Sequence, residues 1–278
     1  MKKLVDFDGL FDEKLSVYME ENAGKYTEKQ WETLIPKLYK KFGDTVIKSV
    51  NSTPNAYYAD MSDDELVETL RRHVEEGVPV SDFLCRELEK RRPEGLISLL
   101  DTKNEQLLSF AVNLTGNMTK AFPAYFKLIS SKIDSEIKDL IVDQLKAGAD
   151  EAKSRALELY EKGESRESML EILSRCKLRD ERVFNVLMQA FRETADELPM
   201  HASYLAAYGD ERALPVLLDR IDGEDINYLE YQELKYAIES LGGSYTRPRD
   251  FSDDPYFIEI AEQSQYVPDF SEKKKTDA

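Results

Sequence analysis

Residues 204–243 read YLAAYGDERALPVLLDRIDGEDINYLEYQELKYAIESLGG, and this stretch decides the fold. Leu214, Leu217, Leu218 and Ile221 recur at i, i+3, i+4 and i+7, as do Leu234, Ala237, Ile238 and Leu241. A 3.6-residue period puts each set on one side of a helix and the charged residues on the other. Gly209 closes the preceding helix, Asp210 is a natural N-cap for the next, and Gly242 ends the last. Two short helices with so short a link run antiparallel and bury their stripes against each other.

The same template recurs along the chain. It is met by Trp31, Leu34, Ile35 and Leu38, by Leu107, Phe110, Ala111 and Leu114, and by Phe122, Tyr125, Phe126 and Ile129. Met169, Ile172, Leu173 and Cys176 meet it again, as do Val183, Val186, Leu187 and Ala190. Thr27 with Gln30, and Ser62 with Glu65, read as capping boxes. Gly77, Gly148 and Gly163 are expected to end helices, and Pro79, Pro93 and Pro123 fall at or near helix starts. No stretch alternates with a two-residue period, so the fold class is all-α. The apolar pairs Leu99/Leu100, Leu128/Ile129, Ile172/Leu173 and Leu217/Leu218 are spaced by 29, 44 and 45 residues. One such helix pair cannot bury its stripe alone, so stacked pairs forming an α-solenoid, an α-α superhelix, are expected.

Residues 204–243 resemble a HEAT-like repeat of the kind found in phycobilin lyases and many bacterial proteins. The Gly209-Asp210 turn carries the resemblance, with Arg212-Ala213-Leu214-Pro215 opening one helix and Ala237-Ile238-Glu239-Ser240-Leu241-Gly242 ending the other. It is weaker over 93–192 and absent from 1–60 and 245–278. The arginine and alanines that commonly open the second helix of such a repeat are replaced by a region bearing Tyr228, Tyr231 and Tyr236. The resemblance implies a fold rather than a chemistry, because the repeat serves binding proteins and a few enzymes alike. The expected organisation is N-terminal helices over 1–50, a linker over 51–61 (NSTPNAYYADM) and a helical repeat array over 62–243. A C-terminal extension over 244–278 would carry a short helix near 255–263 and a disordered tail, SEKKKTDA.

Composition narrows the function. The 278 residues hold 41% hydrophobic and 33% charged residues, the balance of a folded chain with a charged surface. Net charge is −17, of which residues 201–278, with 17 acids and 8 bases, hold −9. No basic stripe is present to neutralise phosphates, so no nucleic-acid partner is expected. No apolar run reaches the roughly 18 residues of a membrane span, so no membrane partner is expected. Two isolated cysteines, Cys85 and Cys176, and no signal peptide point to the cytoplasm. Sequons at Asn51, Asn113 and Asn117 carry no weight there. Phosphate loops, CxxC, HExxH and G-x-S-x-G are all missing, and the acidic stretch around Gly223 fails as a calcium loop because Leu218 and Leu229 would fill its ends. His73 and His201 sit on apolar faces and read as packing residues, and both cysteines as inert thiols. No catalytic residue, metal ligand or cofactor is assigned.

One constellation points to binding. Eight of the 15 tyrosines follow residue 200, in the most acidic part of the chain. Tyrosine offers rigid contact area with a polar tip, and carboxylates beside it suit Lys and Arg side chains. The expected protein-binding face is therefore Asp222, Glu224, Asp225, Tyr228, Tyr231 and Tyr236, although core packing is the favoured reading for Tyr204, Tyr208 and Tyr231. The expectation is a non-enzymatic scaffold or adaptor for a protein partner with basic side chains, of unspecified oligomeric state. An immunity-type inhibitor of a basic protein, or an enzyme on the same repeat, glycosylase-like or lyase-like, are the alternatives.

Overall fold

The computed structural model describes residues 2–193 and 196–265, which form two compact units, Met1–Leu145 and Lys146–Ala278. The described residues are helical with no strand; one isolated bridge joins Ile47 to Ser52. No described helix is long and apolar enough to cross a membrane. The tail at 271–278 lies outside the described residues.

The first unit holds α1 (Phe7–Glu21), α2 (Glu28–Gly43), α3 (Pro54–Ala59), α4 (Asp63–Glu75), α5 (Asp82–Arg91), α6 (Glu105–Thr115) and α7 (Phe122–Ile129), with a 3-10 stretch at Glu94–Asp101. The Ser62–Glu65 capping box is closed in both directions, at 3.2 and 2.8 Å. The span 51–61, expected as a linker, holds the short helix α3. Thr53 caps α3 through Ala56 N–H (3.1 Å), Pro54 fills its first turn, and Tyr57, Tyr58 and Met61 are buried. Phe7, fully buried, meets Tyr57, Tyr58 and Phe83 edge-on at 5.4, 5.7 and 6.4 Å, so α1, α3 and α5 share one aromatic core. Asp8 secures the arrangement by accepting from the Tyr39 hydroxyl (2.6 Å) and from Asp82 N–H at the start of α5 (2.8 Å). Phe7, Phe11 and Phe42 from the N-terminal helices are thus buried in this unit together with Tyr57 and Tyr58. The Trp31, Leu34, Ile35 and Leu38 stripe of α2 stays only half-buried.

After α8 (Ser135–Ala147), the second unit is built of α9 (Ala149–Glu161), α10 (Arg166–Ser174), α11 (Glu181–Glu193), α12 (Leu198–Tyr208), α13 (Leu214–Ile221), α14 (Tyr228–Ser240) and α15 (Pro255–Gln265). The pairs α9/α10, α11/α12 and α13/α14 each pack together, and α12 packs on both α10 and α14. Met169, Ile172, Leu173, Leu205, Leu234, Ala237 and Ile238 are buried where these helices meet. Each large aliphatic side chain so buried contributes about 1.5–3 kcal/mol. Gly209 takes the left-handed conformation (φ 71°) and ends α12, a backbone position that favours glycine. Gly148, by contrast, has φ −123° and separates α8 from α9 without a left-handed cap.

Candidate functional site

The acidic loop between α13 and α14 gathers Asp222, Glu224 and Asp225, but two of these carboxylates are already engaged. Asp222 caps the end of α13 and accepts from the Tyr245 hydroxyl (2.6 Å) and from Arg247 Nη1 (2.7 Å). Asp225 takes both terminal nitrogens of Arg220, at 2.8 and 3.1 Å. Arg249 donates to the carbonyls of Gly223, Glu224 and Ile226 (2.5, 2.9 and 3.1 Å), clamping the loop from the C-terminal extension. The Tyr245 hydrogen bond first, and Arg247 after it, hold the Asp222 carboxyl below the usual range; the Arg220 bond does the same for Asp225. Arg220, Arg247 and Arg249 thus match the loop's three carboxylates in number, and the loop presents little net charge to a basic partner.

The tyrosines divide by burial. Tyr231 is buried, its hydroxyl donating to the Arg247 carbonyl at 3.3 Å. Tyr204 and Tyr208 are buried as well. Tyr228, expected on an exposed loop, is half-buried against Phe251 and Phe257 at 5.3 and 5.0 Å between ring centres. Its N–H donates to Asp254 (2.9 Å), which ties the start of α14 to the C-terminal extension. Tyr236 alone of the six expected site residues is a large exposed aromatic, at 63%.

Tyr236 borders a groove of about 500 Å³ along α10, α12 and α14. Its wall includes Glu171, Arg175, Met200, Tyr204 and Ser240, with the small side chains of Ala206 and Ala207 leaving room between them. Met200 is 36% exposed. Glu171 is paired with Lys146 at 2.6 Å. Arg175 is exposed and has no ion-pair partner among the described residues. The groove therefore offers two apolar side chains, Tyr236 and Met200, and one guanidinium, that of Arg175. Tyr236 is expected from the sequence, whereas Arg175, at the C-cap of α10, and Met200, on α12, are missed because neither belongs to an apolar stripe.

His201 is buried as its apolar neighbours suggested, yet its ring contacts are polar. Nδ1 lies 3.1 Å from the Ala190 carbonyl, and Nε2 lies 2.7 and 3.2 Å from the two oxygens of Glu167 and 3.8 Å from Glu197. The residues approach from α10, from the end of α11 and from the start of α12. Glu197 and His201 are four residues apart, and nothing in the sequence ties Glu167 to them. His73 is fully buried too, with Nδ1 at 2.8 Å from the Pro79 carbonyl and Nε2 without a partner.

Burial, ahead of neighbouring carboxylates, pushes both thiols, Cys85 and Cys176, up to about 12, so neither is a ready nucleophile near neutral pH. Comparison with known proteins finds no matching family model, no matching curated protein and no matching solved structure.

Proposed function

We infer that the chain is a non-enzymatic, HEAT-like helical-repeat scaffold whose second unit binds a segment of a partner protein. Three packed helix pairs in that unit, with α10, α12 and α14 adjacent as one layer, support the repeat reading. The observation that carries the binding reading is the exposure of Tyr236 and Met200 across a groove of about 500 Å³ that also bears Arg175. Large apolar groups left in water beside an unpaired cation cost stability in the free protein and gain affinity when covered. The partner segment that fits supplies an apolar side chain for the Tyr236–Met200 cleft and a carboxylate for Arg175. The acidic loop at 222–225 takes a secondary part, because arginines of the same unit occupy it.

Site-specific photo-crosslinking tests this reading. A benzophenone amino acid replaces Tyr236 in one sample and Leu178, exposed but outside the groove, in a control. Irradiated in the lysate of the protein's own cells, the Tyr236 sample is expected to yield a discrete polypeptide adduct that the control lacks. That adduct should weaken on Arg175→Glu. Identical adducts from both positions, or none from Tyr236, would falsify the groove as the binding face.

A further inference from the structure

The strongest unassigned chemistry in the molecule is the His201 cluster. A backbone carbonyl only accepts hydrogen bonds, so the 3.1 Å contact from Nδ1 to Ala190 fixes the ring proton on Nδ1. Ala190 lies in the last turn of α11, where carbonyls have no partner within the helix, so this bond is available to it. The other nitrogen, Nε2, then faces a carboxylate oxygen at 2.7 Å. Two lone pairs repel at that distance, so with the ring proton on Nδ1 the contact between Nε2 and Glu167 favours a shared positive charge. The charge is either a proton or a metal ion.

We propose that His201 Nε2 and the carboxylates of Glu167 and Glu197 form a binding site for a zinc-class divalent cation. The three donor atoms lie within 4.8 Å of one another, and two carboxylates balance a divalent charge. Tetrahedral zinc, with bonds of about 2.0–2.1 Å, needs donors about 3.3 Å apart. The present spacings of 2.7 and 3.8 Å from Nε2 bracket that value. Reaching that spacing requires both carboxylates to reorient toward Nε2, and the Glu167 and Glu197 side chains are 36% and 53% exposed. The imidazole is held rigidly, at 8% side-chain exposure, and oriented by its bond to Ala190, the outer-shell support that metal-bound histidines use.

The ligand set also selects the metal. One imidazole and two carboxylates are too few oxygens for calcium and too nitrogenous for magnesium, but they suit zinc and its first-row neighbours. Three protein ligands leave a fourth position facing a recess of about 310 Å³ that also includes Tyr160, Leu170 and Glu193. Arg166, the cation on this rim, is drawn aside over the Tyr160 ring, 4.6 Å from its centre.

Calorimetric titration of the full chain, stripped of metal with a chelator, with Zn²⁺ alone is the test. One equivalent is expected to bind, and both Glu167→Gln and Glu197→Gln are expected to weaken it by about tenfold or more. Because His201→Ala removes a buried ring that the fold uses, the half-exposed, isosteric Glu197→Gln carries the decision. Cobalt(II) added in place of zinc is expected to give the intense visible absorption of a four-coordinate ion, lost in the same variants. Absence of zinc uptake by the wild-type chain, or equal affinity in the wild type and both glutamine variants, overturns the site. It would leave a proton-bridged His201–Glu167 pair.

Discussion

Tyr125 and Tyr58 allow one substitution to be made twice in the same unit with opposite expected results. Both side chains are buried, at 0% and 1% exposure, so replacing either by phenylalanine removes one oxygen from an equally dry place. The Tyr125 hydroxyl contacts Thr115 Oγ1 at 2.5 Å and the carbonyls of Gly116 and Val112 at 2.8 and 3.3 Å. These groups lie at the end of α6, where Gly116 N–H already donates to the Val112 carbonyl (2.9 Å) and the Gly116 carbonyl lies beyond the helix. Thr115 keeps its bond to the Ala111 carbonyl (2.5 Å), but Gly116 loses its donor. Leaving this partly buried acceptor unmet costs about 1–3 kcal/mol. The Tyr58 hydroxyl is buried with no well-formed hydrogen bond; its polar neighbour is Ser81, whose hydroxyl donates to Asp8 at 3.4 Å. Tyr58→Phe therefore removes a desolvation penalty and at most a weak contact with Ser81, so it is expected to be neutral or stabilising by about 1 kcal/mol.

Urea unfolding followed by tryptophan fluorescence measures both. Trp31 is the only tryptophan and belongs to the first unit, so its signal reports the unit that carries both substitutions. With a slope of about 2 kcal/mol per molar urea, a cost of 2 kcal/mol moves the midpoint down by about 1 M. Tyr125→Phe is expected to show that fall and Tyr58→Phe none. Equal falls would refute the reasoning, because they would trace the cost to packing common to both rings rather than to the hydrogen bonds that distinguish them.

Two further predictions concern ionisation. Burial raises the Cys85 and Cys176 thiols to about 12, above the roughly 8.5 of an unfolded chain. The folded state then binds more protons than the unfolded state between those values, so stability is full below about pH 8.5 and falls as pH rises toward 12. Alkylation at pH 8 should accordingly be slow in the native chain and fast in urea, and fast native labelling of Cys176 would contradict its burial. Asp222, held low first by the Tyr245 hydroxyl and then by Arg247, should keep its charge to lower pH than an ordinary aspartate. Carbon-detected NMR titration of Tyr245→Phe should show its midpoint rise, and an unchanged midpoint would remove Tyr245 from the interaction.

How far the sequence reached differs by kind of interaction. Capping boxes and stripes are local, so the helices around Ser62 and over 204–243 were legible from spacing alone. Residues 51–61 misled because Pro54 and two adjacent tyrosines resemble a loop. Yet Thr53-Pro54 is itself a helix start, and the burial of Tyr57 and Tyr58 depends on Phe7 and Phe83, distant in sequence. The acidic loop misled for a related reason. Asp222 is 25 residues from Arg247, and counting charges does not reveal that they meet. Net charge describes the whole surface, whereas recognition depends on which carboxylates remain unpaired.

The same reasoning explains why both candidate sites of the second unit escaped the helical pattern. On α12, Leu198, Ala202 and Leu205 form the buried stripe and would be apolar in any helix of this architecture. Met200 lies on the open side, facing the groove, and His201 lies at the margin of the stripe, buried but able to reach Glu167. On α10, Glu167 and Glu171 are one turn apart, the first directed to His201 and the second lining the groove. A stripe margin is where a side chain has a fixed environment and still meets solvent or a ligand, so binding residues gather there. Periodicity sorts residues into buried and exposed faces and is blind to the margin between them. In this chain the pattern therefore identifies the helices, while both proposed sites draw on residues one step off the pattern on α10, α12 and α14.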